Sequence, residues 1–228
     1  MIAYQNRREF LKTLMAAAGA TAVARSWGAT KAASAPLRIA VIGCGEKGTH
    51  THVPAALSER LVALVDADER CIATALRRVR EQAPTLDSSK IRTFTDYRKL
   101  FDVMRRDIDA VIIATPNHQH ALPALMAMQL GKGVYLEKPL AHNLQEVWKL
   151  VGWSRRYKVA TQMGNQGHSG EGYRRLCEYI WAGAIGRVTE VHAWSDRSNG
   201  GVGPVPPTLP VPEGLHWDNW IGPAPFSD

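Results

Sequence analysis

The sequence predicts an α/β protein: a doubly wound, mostly parallel sheet with helices on both faces, followed by the start of a second, α+β domain. Three observations predict it. Residues 37–42, Leu-Arg-Ile-Ala-Val-Ile, are a short apolar run rich in β-branched residues, and Gly43-Cys44-Gly45-Glu46-Lys47-Gly48 follows where such a strand would turn into a helix. A second apolar run, 61–65, ends at Asp66. Strand and helix signals then keep alternating to about residue 163, the order that gives a parallel sheet covered on both faces.

Taken in order, the first strand is nearly uninterrupted in its apolar character, as burial on both faces requires. Gly43 permits a tight turn, Gly45 leaves room for a ligand to approach the backbone, and Gly48 lets the next helix lie close to the strand. Residues 61–65 make the second strand; Ile72, Leu76 and Val79 then repeat at four and three, one face of a helix running to about residue 81. A polar loop with Pro84 spans 82–90, a short strand 91–95 and a helix 97–104. Residues 110–114, Ala-Val-Ile-Ile-Ala, form another doubly covered strand, ended by Pro116. A helix over 122–130 is stopped by Gly131, and 134–136 is the fifth strand. Asn143 with Glu146 three residues on makes a capping box, and Leu144, Val147, Trp148 and Val151 are the expected inward face of the helix it opens. Residues 159–163 form a sixth strand. Beyond it, Tyr173, Leu176, Cys177 and Ile180 mark an amphipathic helix, and 187–195 alternates as a half-buried antiparallel strand. A loop crowded with Gly and Pro, 199–214, leads to Trp217 and Trp220, which are expected to pack rather than to stack on a sugar ring.

Residues 1–35 read as a targeting segment. Asn6-Arg7-Arg8-Glu9-Phe10-Leu11-Lys12 resembles a twin-arginine export signal, and the Ala-rich stretch 13–24 behind it is too short to span a bilayer. Small residues at 22–24 and at 32–34 both suit a signal peptidase, so the cleavage position stays open. An amphipathic helix is the alternative, and it leaves the paired arginines unexplained. The expected location is the periplasm or cell envelope, reached through the twin-arginine export machinery, with no stable membrane span. Five basic residues here face Glu9 alone, so +4 of the net +7 lies in this segment, and the remaining +3 is not clustered as a nucleic-acid footprint would be. Cys44, Cys71 and Cys177 are odd in number and far apart, without disulfide, metal or redox spacing, and read as small core residues.

In open α/β sheets ligands bind outside the carboxyl ends of the strands. Chemistry is therefore expected at residues 43–48, at Asp66, at Thr115, Pro116, Asn117 and His118, at Glu137 and Lys138, and at Asn165 and Gln166. The third strand ends without an evident functional group. Strand, glycine turn, helix, strand and acid in that order read as a dinucleotide site, with phosphates on the unpaired amides of a helix N-terminus. Asp66 would accept from a ribose 2′-hydroxyl and repel a 2′-phosphate, favouring NAD over NADP, although Arg70 lies near enough to blur the preference. His50 with His52, and His118 with His120, form His-x-His pairs, but such pairs do not share a helix face and no acid or cysteine completes a ligand set, so no metal is expected. His50 and His52 are expected on a surface near the phosphates.

Glu137-Lys138-Pro139 after a strand, with the glycine motif and Thr115-Pro116-Asn117-His118-Gln119-His120 at their intervals, resembles the Gfo/Idh/MocA oxidoreductase family. Gly164-Asn165-Gln166-Gly167-His168 and Trp217-Asp218-Asn219-Trp220-Ile221-Gly222-Pro223 resemble an exported bacterial branch of it, and the similarity runs from about residue 37 to the C-terminus. The resemblance implies a Rossmann-type domain over 36–163 that binds NAD or NADP, and a substrate and oligomerisation domain on an open antiparallel sheet, begun at 164–228. It implies cofactor contacts from Gly43, Gly45, Glu46, Lys47, Gly48, Asp66, Thr115, Pro116, Asn117, His118, Glu137, Lys138, Asn165 and Gln166. Lys138 is the implied catalytic residue, hydrogen-bonded to the reacting oxygen beside the nicotinamide, with a cis peptide before Pro139 and His118 lining the nicotinamide pocket. The implied reaction is hydride transfer between a sugar- or polyol-like hydroxyl and a tightly bound nicotinamide cofactor, in a homo-oligomer in full-length relatives. One alternative is an NAD-dependent glycoside hydrolase of the same superfamily, whose members usually depart from Glu-Lys-Pro at this strand. The other is a cofactor-binding fragment without turnover, because the family's downstream Asp and His have no counterpart before residue 228 and the second domain reads as truncated.

Overall fold

Six strands form one parallel sheet in the spatial order β3-β2-β1-β4-β5-β6: β1 Arg38–Ile42, β2 Arg60–Val65, β3 Arg92–Phe94, β4 Ala110–Ile113, β5 Gly133–Glu137 and β6 Thr161–Gly164. The computed structural model describes residues 35–194 and 209–224, so the export-signal expectation, Ser195 and the loop 199–208 lie outside the described residues. From Leu37 onward the described residues form one unit. After the glycine turn it winds through a π-turn, Gly48–His52, into α1, Val53–Leu57; then come α2 Glu69–Gln82, α3 Tyr97–Met104, α4 Ala121–Gln129, α5 Leu144–Tyr157, α6 Glu171–Trp181 and α7 Trp217–Ile221.

The period of two sends neighbouring residues of β1 to opposite faces. Ile39 and Val41 pack on one side with Val53, Ala56 and Val79, while Ala40 and Ile42 pack on the other with Leu100, Phe101 and Leu125. Both faces are covered, which is why these strands read as continuous apolar runs. Three of the helices, α2, α3 and α5, begin on side-chain caps placed past the strands. Asp68 accepts from the Arg70 N–H at 2.9 Å, Asp96 from the Arg98 N–H at 2.8 Å and Asn143 from the Glu146 N–H at 2.9 Å. At the opposite edge Arg38 grips Asp109 through its backbone N–H and its guanidinium at 2.8–3.0 Å. That side-chain bond, above all, pulls the Asp109 carboxyl down to about 2.

Two expectations about surfaces fail. Leu144 and Trp148 are 76% and 71% exposed, and α5 instead turns Leu150 inward with Val147, Trp153 and Tyr157 around it. Residues 187–194 form no strand and lie exposed. An alternating segment becomes a strand only with a partner to complete its hydrogen bonds, and none of the described residues pairs with it. The face of α6 is likewise uncovered among the described residues, with Leu176 and Tyr179 more than half exposed.

Strand order runs outward from β1 through β2 to β3 on one side and from β4 to β6 on the other. The loops after β1 and β4 therefore diverge and leave a crevice at the carboxyl edge, where such sheets bind ligands.

Candidate cofactor and active site

The crevice is built around the glycine turn. Gly43 has φ +95°, and a Cβ there would run into the backbone of Ala114 and Thr115 on β4's exit loop. A Cβ on Gly48 would overlap the Gly43 carbonyl, whereas the same position on Gly45 meets open space. The turn is tied by the Gly43 N–H to the Val65 carbonyl at 2.8 Å, by the Cys44 N–H to Asp66 Oδ2 at 2.6 Å and by the Thr49 hydroxyl to the Cys44 carbonyl at 2.6 Å. Of the three cysteines expected in the core, Cys44 is buried there, whereas Cys71 and Cys177 are only partly buried, because one borders the crevice and the other lies on the uncovered helix α6. Asp66 also accepts from the Asp68 N–H at 2.9 Å. Burial raises its pKa, and the two backbone N–H groups oppose that rise.

The resulting cavity holds about 650 Å³. Gly43, Gly45, Glu46, Lys47, Asp66, Thr115 and Pro116 line it, as the sequence reading grouped them. The third strand is no longer silent: Thr95, Asp96, Tyr97 and Arg98 form one wall. Cys71 lines it too, its thiol pushed up to about 11, first by burial and then by Asp66. Arg70, the group that could have met a 2′-phosphate, is held by Asp68 at 2.6 Å.

A second cluster sits at the ends of β5 and β6. Glu137 is buried and accepts from His52 Nε2 at 2.8 Å, from the Lys138 N–H at 3.2 Å and from Gln166 Nε2, which also reaches the Tyr135 hydroxyl at 3.0 Å. His52 was expected on a surface; it is 3% exposed, and only His50 faces solvent. The widened π-turn shifts the helix phase and turns His52 onto the sheet. The Lys138–Pro139 peptide is cis, and Lys138 is exposed beside this cluster. Sequence reading also missed His120, buried between the Thr115 carbonyl (2.8 Å to Nε2) and the Pro139 carbonyl (2.6 Å to Nδ1), so that it joins the exits of β4 and β5. His118 is turned to Trp220, donating from Nε2 to its carbonyl at 2.9 Å, rather than into the large cavity. Asn117 is exposed, and Asn165 and Gln166 lie at the exit of β6.

The site residues thus fall into two groups along one sheet edge, a roomy cavity over β2, β1 and β4 and the Glu137–Lys138 corner over β5 and β6. A dinucleotide fits this division. The space at Gly45 admits a pyrophosphate, and the buried Thr115 hydroxyl on the cavity wall has no partner of its own. Asp66, a carboxylate with about four acceptor sites, has two backbone bonds and can accept more.

Comparison with known proteins agrees. A family described as "Oxidoreductase family, NAD-binding Rossmann fold" matches residues 37–165. Among curated relatives, Glycosyl hydrolase family 109 protein 2 of Shewanella sp. (strain ANA-3) is 32% identical over 167 residues, covering 64% of this chain and 36% of its own length. The NADP(+) D-xylose 1-dehydrogenase of Haloarcula marismortui is 29% identical over 172 residues, 74% of this chain and 45% of its own. Among solved structures, myo-inositol 2-dehydrogenase from Lactobacillus plantarum matches with a TM-score of 0.57 at 26% identity, over 67% of this chain and 43% of that one. The chain spans between a third and a half of the length of these proteins. Residues 37–165 take in every strand of the sheet and the glycine turn, and on that match the chain belongs to the Gfo/Idh/MocA oxidoreductase family.

Proposed function

We propose that this chain holds NAD in the crevice and serves an oxidoreductase that moves hydride between a sugar- or polyol-like hydroxyl and the nicotinamide. The observation that carries the reading is the cavity of about 650 Å³ at the switch point, with the open face of Gly45, the Asp66 carboxylate and the unpartnered Thr115 hydroxyl on one wall. The named relatives act on, or are named for, sugars and inositols.

When bound, the nicotinamide supplies the hydride acceptor. The chain does the rest. Amides of Gly45, Glu46 and Lys47 at the start of the helical turn receive the phosphates, Gly43 and Gly48 keep the turn tight, and Asp66 orients the ribose. Thr115 and Pro116, which line the cavity, would border the cofactor, while His118 is turned to Trp220 and Asn165 and Gln166 lie beyond the Glu137 corner. Glu137 is spent on His52 and Gln166 and so does not neutralise Lys138. The Lys138 ammonium is left to donate to the substrate oxygen and to stabilise the negative charge that grows on it as the adjacent C–H bond gives up its hydride, and since Lys138 is exposed the hydroxyl proton passes to water.

Asp66 favours NAD, since a 2′-phosphate beside a carboxylate would be repelled and Arg70 is already paired. Titration of the chain with NADH and NADPH, followed by fluorescence, should show tighter binding of NADH, and Asp66→Ala should erase the difference. A chain that binds neither dinucleotide, or a preference untouched by Asp66→Ala, overturns the assignment. Arg7 and Arg8 would take the folded, cofactor-loaded protein out of the cytoplasm; Arg7→Lys with Arg8→Lys should leave it inside, and unchanged export would refute that part.

The 32% identity to a protein named as a glycosyl hydrolase favours one second reading, in which transient oxidation loosens a glycosidic bond. A sugar released without accumulating keto product would establish it over the first. Lys138, in an intact Glu-Lys-Pro, argues for net oxidation.

A further inference from the structure

The family match ends at residue 165, yet the chain returns to the crevice afterwards. Residues 212–222 cross it from bank to bank. On the side of β2 and β3, Leu215 pairs with Asp68 in an antiparallel bridge, the His216 N–H donates to the Ala67 carbonyl at 2.8 Å, and the Glu69 N–H donates to the Gly214 carbonyl at 2.9 Å. Asn219 then spans the end of β3: its Nδ2 donates to the Thr95 carbonyl at 3.2 Å and its Oδ1 accepts from Arg98 Nη2 at 2.9 Å. On the side of β4, Gln119 Nε2 donates to the carbonyls of Asn219 and Trp220, and His118 Nε2 to that of Trp220. Gly222, at φ +56°, closes the crossing where any Cβ would strike the Gln119 amide.

β1 and its glycine turn lie between these two banks. The crossing segment therefore passes over the crevice, and Leu215, Trp217 and Trp220 line the same cavity as Gly45, Asp66 and Tyr97. Trp217 and Trp220 stack nearly parallel, 5° between planes and 5.1 Å between centroids. The cavity they help to enclose is mostly apolar, is lined also by Ala67, Thr95 and Tyr97, and has on its wall the carboxylate assigned to a ribose. A flat apolar base attached to that ribose matches this chemistry.

We propose that residues 212–222 are part of the dinucleotide site: they wall the adenosine subsite and, anchored on both banks, must open for the cofactor to be exchanged. This rests on the NAD reading above. The crossing segment is a gate because its anchors tie it to both banks of the crevice within the protein itself, so opening it limits uptake as well as release. That separates it from a mere contact, whose loss would speed release alone.

Stopped-flow binding of NADH to the full 228-residue chain tests this, in the wild type, in Gln119→Leu, which removes two of the three bonds to the tail from the β4 bank, and in Asn219→Ala, which removes that residue's two side-chain bonds on the other. Association and dissociation rates should both rise about tenfold or more in each variant, the scale expected for losing one or two such hydrogen bonds. ADP-ribose, used to displace bound NADH, should show the same acceleration of its own exchange, because it carries the adenosine half. Rates equal to wild type in both correctly folded variants overturn the proposal, and so does faster release with unchanged association. Failure of wild type to bind NADH at all, with native circular dichroism, overturns the NAD reading itself and is seen before any variant is compared.

Discussion

A buried carboxylate must be surrounded by donors, and Glu137 has three: His52 Nε2, Gln166 Nε2 and the Lys138 N–H. Burial works to raise its pKa, but the bond from Gln166 and then those from Lys138 and His52 outweigh it and hold Glu137 below the usual range. His52 moves down as well, because burial outweighs the pull of Glu137. A carboxylate only accepts, so His52 carries a proton on Nε2, and its lowered pKa keeps the ring neutral at pH 7. The sign for stability follows. With the folded His52 pKa lowered, the unfolded chain takes up a proton first as pH falls below about 6.5, so stability is full above that value and declines below it. Glu137 acts in the same direction at lower pH, its contribution present above about 4.3 and lost as pH falls through its lowered folded value. Thermal unfolding should thus shift to lower temperature between about pH 7 and 5. His52→Gln should cost about 1.5–3 kcal/mol at pH 7, the worth of a hydrogen bond to a charged group, and should flatten the decline. Melting curves across that range in both proteins check this; an equally steep decline in the variant would place its origin elsewhere.

At the scale of elements, the β1 turn separates two uses of glycine that the sequence motif runs together. Gly45 has open space where a Cβ would go and does not sit at positive φ, while Gly48 lies against the backbone carbonyl of Gly43. Gly45→Ala should leave the melting temperature close to wild type, within about 0.5 kcal/mol, yet weaken NADH by obstructing the phosphates. Gly48→Ala should lose about 1–3 kcal/mol of stability, since backbone must move to admit the methyl, and lose NADH with it. Paired melting and NADH titration distinguish the two, and equal effects would mean the turn is softer than its geometry. The six strands, this turn and the Asn143 cap were legible because each is written in a run of neighbouring residues. The inward face of α5 was not: two adjacent stripes are apolar, and only packing decides that Leu150 is buried and Trp148 exposed. Period alone likewise could not supply a partner for 187–194. His52 escaped for a related reason, since a local π-turn reset the helix phase. Its contact with Glu137 joins residues 85 apart, and that of His118 with Trp220 joins residues 102 apart. No window along the chain contains either.

For the whole molecule, the groups around the crevice come from exits of β1, β2, β3 and β4 and from the tail, residues 43 to 222. A ligand that touches all of them is bound only when the sheet, the turn and the crossing segment are assembled together. It therefore stabilises the native state as a unit rather than one loop. Linkage sets the size: free NADH at a hundred times its dissociation constant adds about 2.7 kcal/mol, and at about 2–4 °C per kcal/mol for a chain of this length the melting temperature should rise by about 5–11 °C. The rise should continue with the logarithm of NADH concentration instead of levelling off at saturation, because it reflects binding to the folded form alone. Nicotinamide mononucleotide, which lacks the adenosine half, should give a much smaller shift at the same concentration. Gly45→Ala is the internal control, since its unliganded melting temperature should match wild type while its response to NADH is reduced. Calorimetry over a hundredfold range of NADH reads all of these. A wild-type transition that stays fixed over that range, or a mononucleotide shift as large as that of NADH, would mean that the crevice is not where the dinucleotide binds.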